Sequence, residues 1–322
     1  MLILYILIFI ISCGLLVFSG KTTVKSLTKI AHFLQWKEFI VAFILMAFAT
    51  SIPELFVCIT AALNKISELS LGVILGSNII NLTLPIGIAV LILGGLEVER
   101  ETVRRNSIFV GIIALLPLLL LLDGGLSRID GCILLLAFGF YISWLFDRKE
   151  LFTKIYEQNG ENQKNKGRKA LKRFLKDLGI FLGSVILLLI AAQGIVKSAS
   201  AMANLAGISL GVVGILIVGA GTSLPEIYFS IQAGKNKKSP MILGNIMGSV
   251  VINSTLILGI VSIISPIKII NFSPYFLCQI FLLISVFISF LAIRTGNKIS
   301  KKEAILLILI YILFFILEIK HI

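Results

Sequence analysis

Glu54 and Glu226 each follow a Thr-Ser pair and a proline, in Thr50-Ser51-Ile52-Pro53-Glu54 and Thr222-Ser223-Leu224-Pro225-Glu226, and each lies inside a long apolar run. If those runs cross a bilayer, a mid-span carboxylate costs about 2.5–3.5 kcal/mol on insertion scales and must face a partner or a polar cavity. Proline lacks an N–H and crowds the carbonyl four residues back. Each proline therefore frees backbone carbonyls, here near Ala47–Thr50 and Gly219–Thr222. Non-helical backbone at membrane depth survives only where protein or a polar cavity satisfies it. Carboxylate, hydroxyl and carbonyl are all hard oxygen donors, a set that suits Ca²⁺ and alkali cations and not zinc or copper. No Lys or Arg stands deep in an apolar run to neutralise the two glutamates, so a bound cation is expected. A helix kink accounts for the prolines alone but not for their neighbours.

The elements that must position these residues follow from composition. The chain has 322 residues, 58% hydrophobic and 14% charged, where soluble domains are nearer half apolar and a quarter charged. That balance indicates an integral membrane protein with most of its mass in lipid. Ten apolar runs of span length occupy 2–19, 38–63, 70–94, 106–122, 129–146, 178–196, 208–232, 241–264, 274–293 and 303–319. The first has no basic leader and no small-residue cleavage motif, and reads as a span. The gaps after odd-numbered spans hold 24 Lys and Arg, and the remaining gaps and the C-terminal tail hold 5. Positive residues favour the cytoplasm, so both termini are expected outside a plasma membrane and the 147–177 gap inside. The same placement accounts for the net charge of +13 without nucleic acid as a partner. That long gap reads as a solvated linker between a first half (1–146) and a second half (178–322). Its KALKRFLKD end could rest on anionic lipid.

The glutamates belong to an internal repeat. A shift of 172 residues superimposes 49–81 on 221–253 with 16 of 33 positions identical, including Gly72/Gly244, Gly76/Gly248, Ser77/Ser249 and Asn81/Asn253. The first copy lies on spans 2 and 3 and the second on spans 7 and 8. An odd difference of five makes the copies cross in opposite directions, the inverted repeat of secondary transporters with midplane sites. Ser77 and Asn81 share one helix face, as do Ser249 and Asn253. The neighbouring glycines permit close helix contact, expected to bring span 3 against a broken span 2 and to add Ser and Asn oxygens to the site. Asn78, matched by Val250, reads as packing or a local hydrogen bond. The expected fold is an all-α polytopic membrane protein: ten transmembrane helices in two inverted five-helix repeats, with helices 2 and 7 broken.

Paired motifs of the form G-T-S-x-P-E followed by G-S-N-x-x-x-N/D resemble the α-repeats of the cation/Ca²⁺ exchanger superfamily, closest to prokaryotic Na⁺/Ca²⁺ exchangers. The motifs cover about a fifth of the chain; span number, repeat placement and topology extend the likeness to nearly all of it. The resemblance implies that Glu54 and Glu226 ligate Ca²⁺ and Na⁺ in alternation, as transported ions. It implies that Thr50, Ser51, Ser77, Asn81, Thr222, Ser223 and Ser249 complete the site, with carbonyls at Ala47, Thr50, Gly219 and Thr222. It also implies that spans 1 and 6 form a long, tilted pair sliding against the other eight. Two positions depart from the pattern: Ala49 stands for the usual glycine, and Asn253 for an aspartate common in Na⁺/Ca²⁺ exchangers. With Asn at 81 and 253 the site carries a formal charge of −2 and matches one Ca²⁺. Three Na⁺ would leave an excess positive charge in a low-dielectric cavity.

The leading expectation is therefore Ca²⁺/Na⁺ exchange by alternating access. The alternatives are an H⁺/Ca²⁺ antiporter that titrates the two glutamates, K⁺ dependence, and a cation channel. An enzyme is not expected: there is no HExxH, and His32 and His321 both lie outside the spans. The four cysteines lie in apolar runs without CxxC spacing and read as buried hydrophobes. No organic cofactor is expected, and the chain is expected to work as a monomer within membrane lipid.

Overall fold

The computed structural model describes residues 2–33, 38–98, 102–146, 167–235, 239–269, 273–294 and 298–320. The helices are α1 (Leu2–Phe33), α2 (Glu38–Leu63), α3 (Ser67–Leu93), α4 (Thr102–Leu120), α5 (Arg128–Phe146) and α6 (Gly167–Ala206). Then follow α7 (Leu210–Val213), α8 (Gly219–Thr222), α9 (Leu224–Lys235), α10 (Ser239–Val251), α11 (Leu258–Ile264), α12 (Ser273–Arg294) and α13 (Lys301–Lys320). Short π-helical segments join α7 to α8 (Gly214–Val218) and α10 to α11 (Ile252–Ile257). Helix or a run of helical segments thus lies at each of the ten expected positions. Six of them are long and apolar enough to cross a membrane among the described residues, and Thr50–Leu63 and Ser107–Asp123 form shorter apolar helices. Leu122, Ile3 and Leu136 are more than two-thirds exposed. Such an apolar surface is natural against acyl chains and unnatural in water.

Burial separates a centre from a periphery. Over an 18-residue apolar stretch within Ser67–Leu93 89% of residues are buried and within Met241–Ile264 83%, against 22% within Ile3–Thr23 and 33% within Phe174–Ala206. The outer pair, α1 and α6, runs antiparallel. Ser12 lies against Gly194, Thr23 Oγ1 donates to Ser184 Oγ at 2.8 Å, and Lys29 meets Asp177 at 3.2 Å. At about 1.5 Å rise per residue both helices exceed a hydrocarbon core of about 30 Å. α6 starts at Gly167, so the KALKRFLKD segment assigned to the linker is the first turns of that helix. Residues 147–166 lie outside the described ones.

Two corrections concern the repeat helices. α2 continues through Pro53 as one helix; the break expected there occurs in the second copy alone, at Ser223 between α8 and α9. One missing N–H does not end a helix whose flanks are Ala47 and Ala49, whereas Gly219 and Gly221 weaken the corresponding turn. The glycines also pack across copies and not within them. A Cβ on Gly72 or Gly76 would strike the backbone carbonyls of Gly211 and Ile215, and one on Gly248 would strike the Ala47 side chain. Close approach is needed where each copy meets the other.

The loops carry four two-residue strands: β1 (Leu96–Glu97), β2 (Gly125–Leu126), β3 (Ile267–Lys268) and β4 (Lys298–Ile299). β1 pairs antiparallel with β4, and β2 with β3. β1 and β4 lie in the gaps after spans 3 and 9, β2 and β3 in those after spans 4 and 8, so each ladder joins gaps of equal parity. The shift of 172 residues carries β1 and β4 to within a residue or two of β3 and β2. It does nearly the same for two capping boxes. Ser127 Oγ and N–H donate to Asp130 at the start of α5. Ser300 does so to Glu303 at the start of α13. Each caps orphan N–H groups of the first turn. Cys132 is exposed on α5 and Cys13 half-buried, against the expectation of burial; Cys58 and Cys278 are buried, and all four are free.

Candidate ion-binding site

α2 and α9 deliver Glu54 and Glu226 to the centre of the molecule, where both are fully buried. The charge on Glu54 acts directly on Glu226. The hydroxyl groups are traded between copies: Thr222 and Ser223 approach Glu54, and Thr50 and Ser249 approach Glu226. By strict geometry all four carboxyl oxygens are without a hydrogen-bond partner among the described residues. Among the described residues no Lys or Arg is a group that acts on either carboxyl. Uncompensated carboxylates in a low-dielectric interior are strongly disfavoured, so this pair requires a cation or protons.

The remaining donors close around them in a crosswise pattern. Thr50 Oγ1 lies 3.1 Å from Ser249 Oγ, and at the matching positions Thr222 Oγ1 lies 3.5 Å from Ser77 Oγ. The Ala47 carbonyl accepts from Thr50 at 3.4 Å. The Gly219 carbonyl accepts from Thr222 and from Ser77, each at 3.3 Å. Glu54, Glu226, Thr50, Thr222, Ser77, Ser249, Ser223, Ala47 and Gly219 are thereby drawn together. Ser51, Asn81 and Asn253 sit on the same helices, buried, with every side-chain polar atom unpartnered. Ten of the sixteen buried side-chain atoms lacking a partner among the described residues fall on these twelve residues. Buried polar groups are ordinarily bonded, so the concentration marks a place built for a ligand of opposite polarity. No group of three or more His, Cys, Asp and Glu gathers among the described residues. A soft-metal centre would draw on such groups; an oxygen cage completed by hydroxyls and carbonyls does not.

A cavity of about 360 Å³ leads to this cluster, with Thr50, Pro53 and Pro225 in its lining and Lys21 and Lys25 of α1 on its wall. Lys21 Nζ rests 4.3 Å from the centre of the Tyr228 ring, a cation–π contact between α1 and α9.

Three polar residues lay outside the expected set. Asn245 is buried on α10 and accepts from Thr50 at 3.1 Å; the first copy has Val73 there, so repeat identity passes over it. Asn78 donates to Ser254 at 2.8 Å, a bond from α3 to the second π segment and not a local one. Glu318 is 1% exposed on α13 with Oε2 unpartnered.

Comparison with known proteins places this site in context. A family model described as sodium/calcium exchanger protein matches residues 4–146 and 176–320. The Sodium/calcium exchanger MaX1 of Methanosarcina acetivorans is 28% identical over 96% of this chain and 97% of its own. The Inner membrane protein YrbG of Escherichia coli is 27% identical over 92% of this chain and 91% of its own. The sodium-calcium exchanger NCX_Mj, in crystals soaked with 2.5 mM Na⁺ and 10 mM Sr²⁺, superimposes with a TM-score of 0.65 at 26% identity, over 97% of this chain and 98% of that one.

Proposed function

The chain belongs to the sodium/calcium exchanger protein family, a family of membrane-embedded cation exchangers, and from that premise we propose that it moves Ca²⁺ across the cell membrane in exchange for Na⁺ by alternating access. Glu54 and Glu226 are the shared ligands. Their combined charge of −2 balances one Ca²⁺, and the Thr50, Ser51, Ser77, Thr222, Ser223 and Ser249 hydroxyls replace part of its hydration shell. Asn81, Asn253 and the carbonyls of Ala47 and Gly219 supply the rest. Na⁺ needs the same oxygens, so the two ions exclude each other, and this competition couples their movements. The observation that carries the reading is the pair of fully buried carboxyls from separate halves that, among the described residues, have no hydrogen-bond partner and no Lys or Arg acting on them.

The transport motion is assigned to α1 and α6. They are long, half-exposed to lipid and peripheral, while α3 and α10–α11 form the packed centre. The two halves are inverted repeats, and the termini lie outside. The equal parity of the strand-joined gaps supports this threading. Asn253 favours one second reading: with only two carboxyls at the centre, two protons also balance one Ca²⁺.

The test is radioactive Ca²⁺ flux in proteoliposomes holding the purified protein, with Na⁺, K⁺ and H⁺ gradients imposed one at a time. Ca²⁺ uptake is expected to follow the Na⁺ gradient and to stop without it. Uptake that ignores Na⁺ and follows a pH gradient replaces Na⁺ with H⁺, and conductance without any counter-ion replaces exchange with a channel.

A further inference from the structure

Thr50 and Thr222 hold matching places in the two copies, yet their hydroxyl protons have different destinations. Around Thr222 the acceptors are carbonyls of its own helical segment, Val218 at 3.1 Å and Gly219 at 3.3 Å, with Ser77 Oγ at 3.5 Å. Around Thr50, Asn245 Oδ1 and Ser249 Oγ both stand at 3.1 Å, nearer than the own-helix carbonyl of Ala47 at 3.4 Å; of the two, only the carboxamide oxygen is solely an acceptor. Asn245 is 3% exposed, and its Nδ2 has no partner. Its position in the first copy is Val73, which can accept nothing.

A hydroxyl has one proton and two lone pairs. To ligate a cation it must turn oxygen toward the ion and send its proton elsewhere. On the Thr222 side that proton falls on backbone carbonyls, one of which, Gly219, is itself a candidate ligand. On the Thr50 side the buried Asn245 carboxamide offers a nearer acceptor than the Ala47 carbonyl, and a proton sent there frees that carbonyl for the ion.

We infer that Asn245 is a positioning residue of the ion site: by accepting the Thr50 proton it aims the Thr50 hydroxyl and the Ala47 carbonyl at the bound cation, making the Thr50 side of the site the tighter one. The inference rests on the cation-exchange reading above. Asn245 acts through Thr50 and does not itself touch the ion.

The experiment is a double-variant cycle on Ca²⁺ flux in proteoliposomes, with KM and maximal rate measured for wild type, Asn245→Val, Thr50→Val and the double variant. Asn245→Val copies the first repeat and is expected to raise the KM for Ca²⁺ about 5–10-fold, the scale of one lost hydrogen bond to a ligand, with maximal rate within about twofold. In the Thr50→Val background the same change is expected to add less than about twofold, because residues acting as one unit are not additive. Asn245→Asp keeps an acceptor facing Thr50, and its KM is expected at or below the wild-type value. It also carries the test if Asn245→Val does not fold. Multiplying effects in the double variant, an unchanged KM in Asn245→Val, or a KM raised as much by Asp as by Val would each overturn the inference alone. Wild-type protein that carries no Ca²⁺ under any gradient would overturn the exchange reading and this inference with it.

Discussion

In the first copy of the motif, α2 runs as one helix through Pro53 and α3 as one helix through Asn81. In the second, α7 passes through a π turn into α8, the chain breaks at Ser223 and resumes as α9, and α10 gives way to a second π segment that contains Asn253. The polar residues hardly differ between copies; the small ones do. Ala47 and Ala49 correspond to Gly219 and Gly221 under the shift of 172, and the one polar gain in the second copy near the site is Asn245 for Val73. Glycine costs about 1 kcal/mol relative to alanine in a helix interior, and π turns are short, weak insertions often found at functional sites. The second copy is therefore the softer half. It presents the same oxygens on backbone that adjusts more cheaply.

The comparison can be broken or sharpened by substitution. The largest effect belongs to the residues the copies share. Glu54→Gln and Glu226→Gln are each expected to lower Ca²⁺ flux by at least about 100-fold, since even outer-shell changes at metal sites cost 10–100-fold. A variant that kept most of its flux would show that one half carries the site alone. Next come the glycines at the crossings. A methyl on Gly76 meets the backbone of Ile215, in the first π segment, and one on Gly248 meets the side chain of Ala47 on α2. Gly76→Ala is expected to cost about 1–3 kcal/mol, as over-packing does, with Gly248→Ala at the low end. Thermal unfolding in detergent measures both, and equal losses would show that the π segment around Ile215 gives way to a methyl as readily as the Ala47 side chain does. The smallest effect is Gly221→Ala, which copies Ala49 and meets only the Cys13 sulfur, at 3.3 Å. It is expected to stabilise by about 0.5–1 kcal/mol and to slow turnover; a variant that does neither removes helix softness from the account.

Much of this architecture was legible in the residues alone. The places of the helices follow from runs of apolar residues. The twelve candidate site residues follow from a repeated Thr-Ser-x-Pro-Glu and a Ser-Asn pair at helical spacing. What escaped depends on contacts between segments far apart in sequence. Pro53 reads as a break in isolation, but its alanine flanks let α2 continue. Asn245 and Asn78 have no repeat partners to flag them, and their bonds to Thr50 and Ser254 exist only once the copies meet. The first turns of α6 look like solvated linker because they are rich in Lys and Arg, yet that charge suits a helix projecting beyond the hydrocarbon.

The two small strand ladders have a mechanical consequence. β1 with β4 fastens a loop of the first half to a loop of the second, and β2 with β3 does so through gaps of the opposite parity. A movement that swung one half against the other would have to unfasten both rivets at once. Neither rivet holds α1 or α6, so on the exchange reading proposed above a piston stroke of those two helices along a frame fastened by both ladders is the motion that leaves the fastenings intact.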